Sequence, residues 1–229
     1  MVYETLHTMG TKMEFFLPSE TDPTIWSEVR NELIKLDTVF NRFDPQSEVS
    51  GVNSGKAPVS YAMREAIALG VEYRLGTLGL FDVRYGGSYD FGGFAKGYAL
   101  RNIMAILRSH DVKDAYVSLG NSSILALGNR PDGSPWTVEL TDPFSDIAIE
   151  TITLSDKCMS VSGNSPSYEG HIVNPVTGEP FLERAMVVAV ADDPLDAEVL
   201  TTVACIADDE MMEEIESNYP EVSMKMYFV

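Results

Sequence analysis

The sequence predicts an α+β chain, with helix and sheet laid down in blocks rather than in strict alternation. Three observations carry this. Apolar residues recur at helical spacing over 24–43, 60–78 and 94–109. Short β-branched and aromatic runs then follow one another from 115 to 191. Helical spacing returns over 195–207 and 210–217 before a closing strand at 224–229. There is no internal repeat, low-complexity segment or linker, so residues 1–229 are expected to form a single compact unit, with two tightly packed lobes as the alternative.

Each element has a local cause. Residues 3–17 are rich in β-branched and aromatic side chains and are interrupted at Gly10, which reads as a strand pair or a bent strand. Asp22-Pro23 supplies a helix cap and a first-turn proline. Ile25, Val29, Leu33, Leu36, Val39 and Phe40 then mark the buried face of a helix that Asp44-Pro45-Gln46-Ser47 ends. Ser60 caps the next helix, and Leu80-Phe81-Asp82-Val83 has the composition of a short buried strand. Glycines at 86, 87, 92 and 93 precede the third long helix, whose inward residues are Tyr98, Ile103, Ile106 and Leu107. Strands are expected at 115–119, 123–127, 136–140, 148–154, 158–161 and 186–191, separated by Gly, Asn, Asp and Pro turns.

With 45% hydrophobic and 22% charged residues, the composition is that of an ordinary globular domain. The longest apolar runs are too short for a transmembrane segment. The net charge of −19 disfavours nucleic acid, whose binding needs Lys and Arg against phosphate. From residue 141 onward there are 18 Asp and Glu against 3 Lys and Arg, so that stretch carries −15 and the first 140 residues carry −4. A polyanionic ligand is therefore expected against the first part of the chain, or else beside a bound cation. Cys158 and Cys205 lack redox spacing and read as small buried apolar residues. His7, His110 and His171 are too scattered for a zinc site. The start Met1-Val2-Tyr3-Glu4 has no basic or apolar signal region, so the expectation is a cytoplasmic chain or one whose leader was removed.

Three segments could carry chemistry. Tyr89-Asp90-Phe91-Gly92-Gly93-Phe94-Ala95-Lys96-Gly97-Tyr98 puts an acid, paired glycines and a lysine at a helix start, where free N–H groups and the helix dipole suit phosphate. It matches neither GxGxxG nor the Walker loop, and a plain tight turn is the alternative. Lys96 opposes the dipole there, which implies another reason for its presence. Glu198 and Thr202 lie four apart on a helix and share a face. They could offer hard oxygens to magnesium, or form part of an accessible solvated surface. His171, before the Pro175–Gly178 turn, could be a general base or a histidine satisfied by the backbone.

Taken in order, these segments resemble the ApbE family over nearly the whole chain. His7-Thr8-Met9-Gly10-Thr11 is similar to the family's MGT element, and Phe43 through Ser50 with Asn53 is similar to its P-x-SE-x-S…N segment. Leu80 through Val83 resembles FDVT, and Asp90 through Tyr98 matches DLGGIAKGY. Tyr116 through Asn121 resembles VNLGGN, and Ser162-Gly163 resembles the family's SG. His171 through Gly178 matches HIIDPRTG, and Ala197 through Val203 aligns with ADALATA.

The resemblance implies FAD as substrate, Mg²⁺ on its pyrophosphate, and transfer of FMN to a threonine of a partner flavoprotein with release of AMP. The alternatives are hydrolysis of FAD to FMN and AMP, or a non-catalytic flavin-binding module. It implies that Met9, Phe43, Leu80, Phe81, Asp82, Asp90, Lys96 and Ile172 bind the dinucleotide. Gly93, Glu198, Thr201 and Thr202 would hold the metal, and His171 and Lys96 would be catalytic. Family members are often exported or membrane-anchored. The chain departs from the pattern in having only residues 84–89 between the FDVT-like and DLGGIAKGY-like elements. It also has Glu198 in place of Asp, Arg84 in place of Thr, Asn174 in place of Asp, and Ser122 within the NLGGN-like segment.

Overall fold

A computed structural model describes residues 1–229. It contains β1 (Val2–Thr8), β2 (Thr11–Leu17), α1 (Pro23–Phe40), α2 (Glu48–Asn53), α3 (Tyr61–Gly76) and α4 (Ala95–Ser109). These are followed by β3 (Ala115–Leu119), β4 (Ser123–Leu127), β5 (Trp136–Thr141), β6 (Ala148–Leu154), β7 (Lys157–Gly163) and β8 (Ala185–Ala191). The chain ends with α5 (Pro194–Ala204), α6 (Asp209–Asn218) and β9 (Ser223–Phe228). The mixed helix and sheet architecture is the α+β class expected from the sequence.

Seven strands form one antiparallel sheet in the order β1-β2-β3-β4-β7-β8-β9, and β5 with β6 forms a separate two-stranded sheet. Alternation along the central strands sends side chains to two different cores. Val117, Leu125 and Cys158 join the main core with α1, α3, α4 and α5, while Ile124, Ala126 and Met159 pack against Trp136, Leu140 and Leu154 of the β5–β6 hairpin. With both faces covered, every residue of β4 is buried. Burying each large apolar side chain here contributes roughly 1.5–3 kcal/mol.

The local signals act as expected at most starts. Asp22 caps α1 by accepting from the Thr24 amide at 2.8 Å, and Ser60 caps α3 by accepting from Met63. The opening segment is a strand pair closed by a two-residue turn, with Met9 (φ 52°) and Gly10 (φ 71°) both left-handed. No helix is long and apolar enough to cross a membrane.

Three expectations are corrected and one unexpected helix is added. The helix expected over 24–43 ends at Phe40: the Asn41 side chain accepts from the Phe43 amide and turns the chain out of the helix. Residues 80–83 are a buried loop, not a strand. Leu80, Phe81 and Val83 are buried, but the Phe81 amide goes to the Thr77 hydroxyl, and the Val83 carbonyl accepts from Asp90, so no sheet partner exists. The short helix α2 was not expected; Ser47 caps it, and the Glu48 carboxylate accepts from the Ser60 amide. The helix expected over 195–207 stops at Ala204, and the Ile206 and Ala207 amides turn back to the Val203 carbonyl.

The contact that positions the site is that of α4 with α5. Gly97 permits it: a Cβ there would stand 2.6 Å from Glu198 Cβ, 2.8 Å from the Pro194 carbonyl oxygen and 3.0 Å from Leu195 Cα. Two of these neighbours are backbone and cannot yield. Gly97→Ala is therefore expected to lower unfolding stability by about 1–3 kcal/mol through overpacking, despite alanine's better helix propensity. Chemical denaturation checks this; a stabilised variant would contradict the close approach.

Candidate functional site

The glycine turn is held from both sides. Asn53 clasps the Tyr89 backbone, its Nδ2 donating to the carbonyl and its Oδ1 accepting from the amide, both at 2.8 Å. Asp90 accepts from the Gly92 amide at 2.9 Å and pairs with Arg42, whose guanidinium also lies 4.8 Å from the Phe43 ring centroid. No side chain caps the start of α4. The Ala95 amide turns back to the Phe91 carbonyl, which leaves the Lys96 and Gly97 amides of the first turn without a backbone acceptor.

Lys96 at the start of α4 is paired with a carboxylate of α5. Its Nζ donates to Glu198 Oε1 at 2.5 Å and to the Ser123 hydroxyl at 2.8 Å. Glu198 is only 3% exposed. Its Oε2 accepts from Ser123 at 2.6 Å and Ser160 at 2.9 Å, two residues that face each other across β4 and β7. This corrects the expectation of an accessible helix face: Glu198 points into the sheet, and three donors, one of them an ammonium, make that burial tolerable. Thr201 is fully buried, donates to the Glu198 carbonyl at 3.0 Å and meets the Ser162 hydroxyl at 2.9 Å. Thr202 is half-buried, with only longer contacts of 3.4 Å to the Glu198 carbonyl and 3.5 Å to Ser162. Gly93 lies directly opposite, where a Cβ would be 3.2 Å from Thr202 Oγ1 and 3.6 Å from the Phe81 ring. Gly93, Lys96, Glu198, Thr201 and Thr202 are thus gathered in one place by the α4–α5 contact.

His171 stands on a loop tied down by Asn164, which is 2% exposed. Asn164 Nδ2 donates to the carbonyls of Phe181 and Glu183, and its Oδ1 accepts from the Gly170 amide. The His171 ring is exposed, with Nδ1 3.1 Å from the Tyr168 carbonyl. A carbonyl only accepts, so Nδ1 carries the proton of the neutral ring and Nε2 presents a lone pair. Ile172 is buried beside Ala204 and Cys205 of the α5 end, linking this loop to the Glu198 helix. The residues that follow form the expected turn. Asn174 Oδ1 accepts from the Val176 and Thr177 amides, a role that needs only an acceptor oxygen.

The remaining residues singled out from the sequence are placed less uniformly. Leu80 and Phe81 are core residues, so they shape the wall beside Gly93 from within. Asp82 accepts from the Arg84 amide and pairs with Arg74 at 3.2 Å. Phe43 is 83% exposed, and Met9 is half-buried at the β1–β2 turn in a left-handed conformation that is costly for a non-glycine residue. A cavity of about 420 Å³ lies between the large sheet and the β5–β6 hairpin. It reaches the cluster only through Ser162, and none of the eight residues expected to bind a dinucleotide lines it. Burial pushes the Cys158 and Cys205 thiols up to about 12, consistent with packing rather than redox chemistry.

Sequence reasoning missed Ser123, Ser160 and Asn164. For the two serines the available signal was a small polar residue within an otherwise apolar strand; Asn164, just past the end of β7, gave no such signal. The donor chemistry of the cluster fits a hard divalent cation. Every hydrogen-bond partner of Thr202 and of the Glu198 carboxylate other than Lys96 is an oxygen, and the absent Cβ at Gly93 leaves its backbone approachable. No group of three or more His, Cys, Asp or Glu side chains stands together, so such a cation would draw on one carboxylate, hydroxyls, a carbonyl and water.

Fold and site together define an α+β protein with a glycine turn and helix start facing a single buried carboxylate. The family model described as the ApbE family matches residues 86–226, and the chain belongs to that family. A curated relative, the FAD:protein FMN transferase of Vibrio cholerae serotype O1, is 30% identical over 112 residues, covering 45% of this chain and 33% of that protein. The chain thus matches about a third of the curated relative's length. Among solved structures, the flavin transferase ApbE from Vibrio cholerae superposes with a TM-score of 0.82 at 19% identity, covering 98% of this chain and 92% of that one. The Thermotoga maritima ApbE protein gives 0.79 at 20% identity, covering 97% and 93%. At these identities the structural matches establish the fold.

Proposed function

We propose that the chain is a Mg²⁺-dependent FAD:protein FMN transferase, moving FMN from FAD to a threonine of a partner flavoprotein and releasing AMP. The observation that supports it most is the convergence of Lys96, Glu198 and Thr202 on the turn at Gly93, in an ApbE chain. Gly93, Glu198, Thr202 and the neighbouring Thr201 would hold Mg²⁺, which would offset the pyrophosphate charge. Met9, Phe43, Asp82 and Asp90 would border the dinucleotide, with Leu80, Phe81 and Ile172 backing the wall.

The chain's own groups account for the rest. The uncapped start of α4 and the Lys96 ammonium supply positive charge to phosphate oxygens. His171 Nε2 accepts the proton of the attacking threonine hydroxyl. A P–O bond forms to that oxygen as the phosphoanhydride bond to AMP breaks, and AMP leaves with the electron pair. Positioning and charge neutralisation dominate such a transfer.

Incubating the protein with FAD, Mg²⁺ and a threonine-bearing flavoprotein domain is expected to give a covalently fluorescent product and an equal amount of AMP. The exposed His171 edge is equally open to water, which favours FAD hydrolysis as the second reading. AMP and free FMN without labelled protein would select that reading. FAD binding with no AMP at any Mg²⁺ concentration would reject both.

A further inference from the structure

We propose that Lys96 is the resident counter-ion of Glu198, which a divalent cation must displace, and that Ser123 and Ser160 fix the carboxylate so that only one oxygen is exchangeable. This rests on the reading that Glu198 and Thr202 face such a cation. The division of labour is visible in the hydrogen bonds. Oε2 is held by two serine hydroxyls on adjacent strands of the sheet, at 2.6 and 2.9 Å. Oε1 has the Lys96 ammonium as its partner, at 2.5 Å.

The two sides differ in mobility. Ser123 and Ser160 are 1% exposed and sit within strands, whereas the Lys96 side chain is 26% exposed. Lys96 can swing out on its four-carbon stem; the serines cannot. A carboxylate this deeply buried is costly without a positive partner, so the cation-free protein keeps the ammonium in place. A divalent ion arriving at Oε1 must displace that ammonium, and the two positive charges then repel. The freed Lys96 needs a new anion, and phosphate oxygens of a bound dinucleotide are the ligand chemistry the neighbouring α4 start accommodates. Cation and dinucleotide binding are thereby coupled through one lysine, and by linkage each raises the affinity for the other.

The decisive measurement uses Mn²⁺ alone, a hard cation suited to oxygen ligands whose free form is read by EPR. Without nucleotide, Lys96→Met is expected to bind Mn²⁺ about tenfold or more tightly than the unaltered protein, because the competing ammonium is gone. Thermal unfolding with and without Mn²⁺ should show the larger upward shift in the variant. If Lys96→Met does not fold, Lys96→Gln, polar and closer in length, serves for the same comparison. Equal or weaker Mn²⁺ binding by the variant, or no binding by either protein, would overturn the proposal. A Glu198→Gln protein that keeps full Mn²⁺ affinity would instead remove the cation reading itself. If Glu198→Gln loses Mn²⁺ while Lys96→Met does not gain it, the cation reading stands and the exchange fails.

Discussion

Glu198→Ala is expected to lower unfolding stability by about 2–4 kcal/mol, since it strips partners from a buried network rather than trimming a surface side chain. The loss has three parts. Lys96 retains only its Ser123 contact, Ser123 and Ser160 lose their acceptor, and the space left lies against Gly97 and the sheet. The partial exposure of Lys96 limits the penalty, because its ammonium can reach water. For a chain of this size the melting midpoint should fall by roughly 5–15 °C. Glu198→Gln should cost less, as its carbonyl oxygen can still accept from the serines. Metal-dependent AMP release should be lost in both. An alanine variant that melts within about a degree of the unaltered protein would show that the carboxylate is not held as described.

That network also shows where sequence reading stops. Residues 24–40 announce their helix through Asp22-Pro23 and the spacing from Ile25 to Phe40, and β3 and β4 through short apolar runs between turns. These signals are local, so they survive without knowledge of the fold. The helical spacing of Glu198 and Thr202 is equally legible, but it defines only a shared face. Whether that face meets solvent or the serines of β4 and β7 depends on a pairing between strands more than thirty residues apart. The 80–83 segment fails for the complementary reason. Its composition is that of a buried strand, but its Leu80 and Phe81 amides go to Thr77 and its Val83 carbonyl accepts from the Asp90 amide, so burial comes without a sheet neighbour. Composition reported burial correctly there and hydrogen-bonding incorrectly. Lys96 is the case where local reasoning went furthest: a cation opposed to its own helix dipole implied another reason for its presence, and the structure offers one in a carboxylate 102 residues away.

His171→Ala is expected to behave in the opposite way to the Glu198 variant, leaving stability intact while lowering FMN transfer about 10²–10⁴-fold, the range for losing a positioned general base. The ring is exposed and makes one hydrogen bond, to Tyr168, so its removal leaves no buried group unsatisfied. The loop keeps its shape because the Asn164 clamp uses backbone groups at 170, 181 and 183, none of which the substitution touches. FAD affinity should therefore change little, and the loss should fall on kcat rather than KM. Comparing Asn164→Ala sharpens the assignment. That variant retains the imidazole but frees the loop that aims it, so it should lower both kcat and the melting midpoint. If His171→Ala transfers FMN at the unaltered rate while Asn164→Ala is impaired, the loop contributes through its backbone, and the proton of the attacking hydroxyl leaves by a route that does not involve the imidazole.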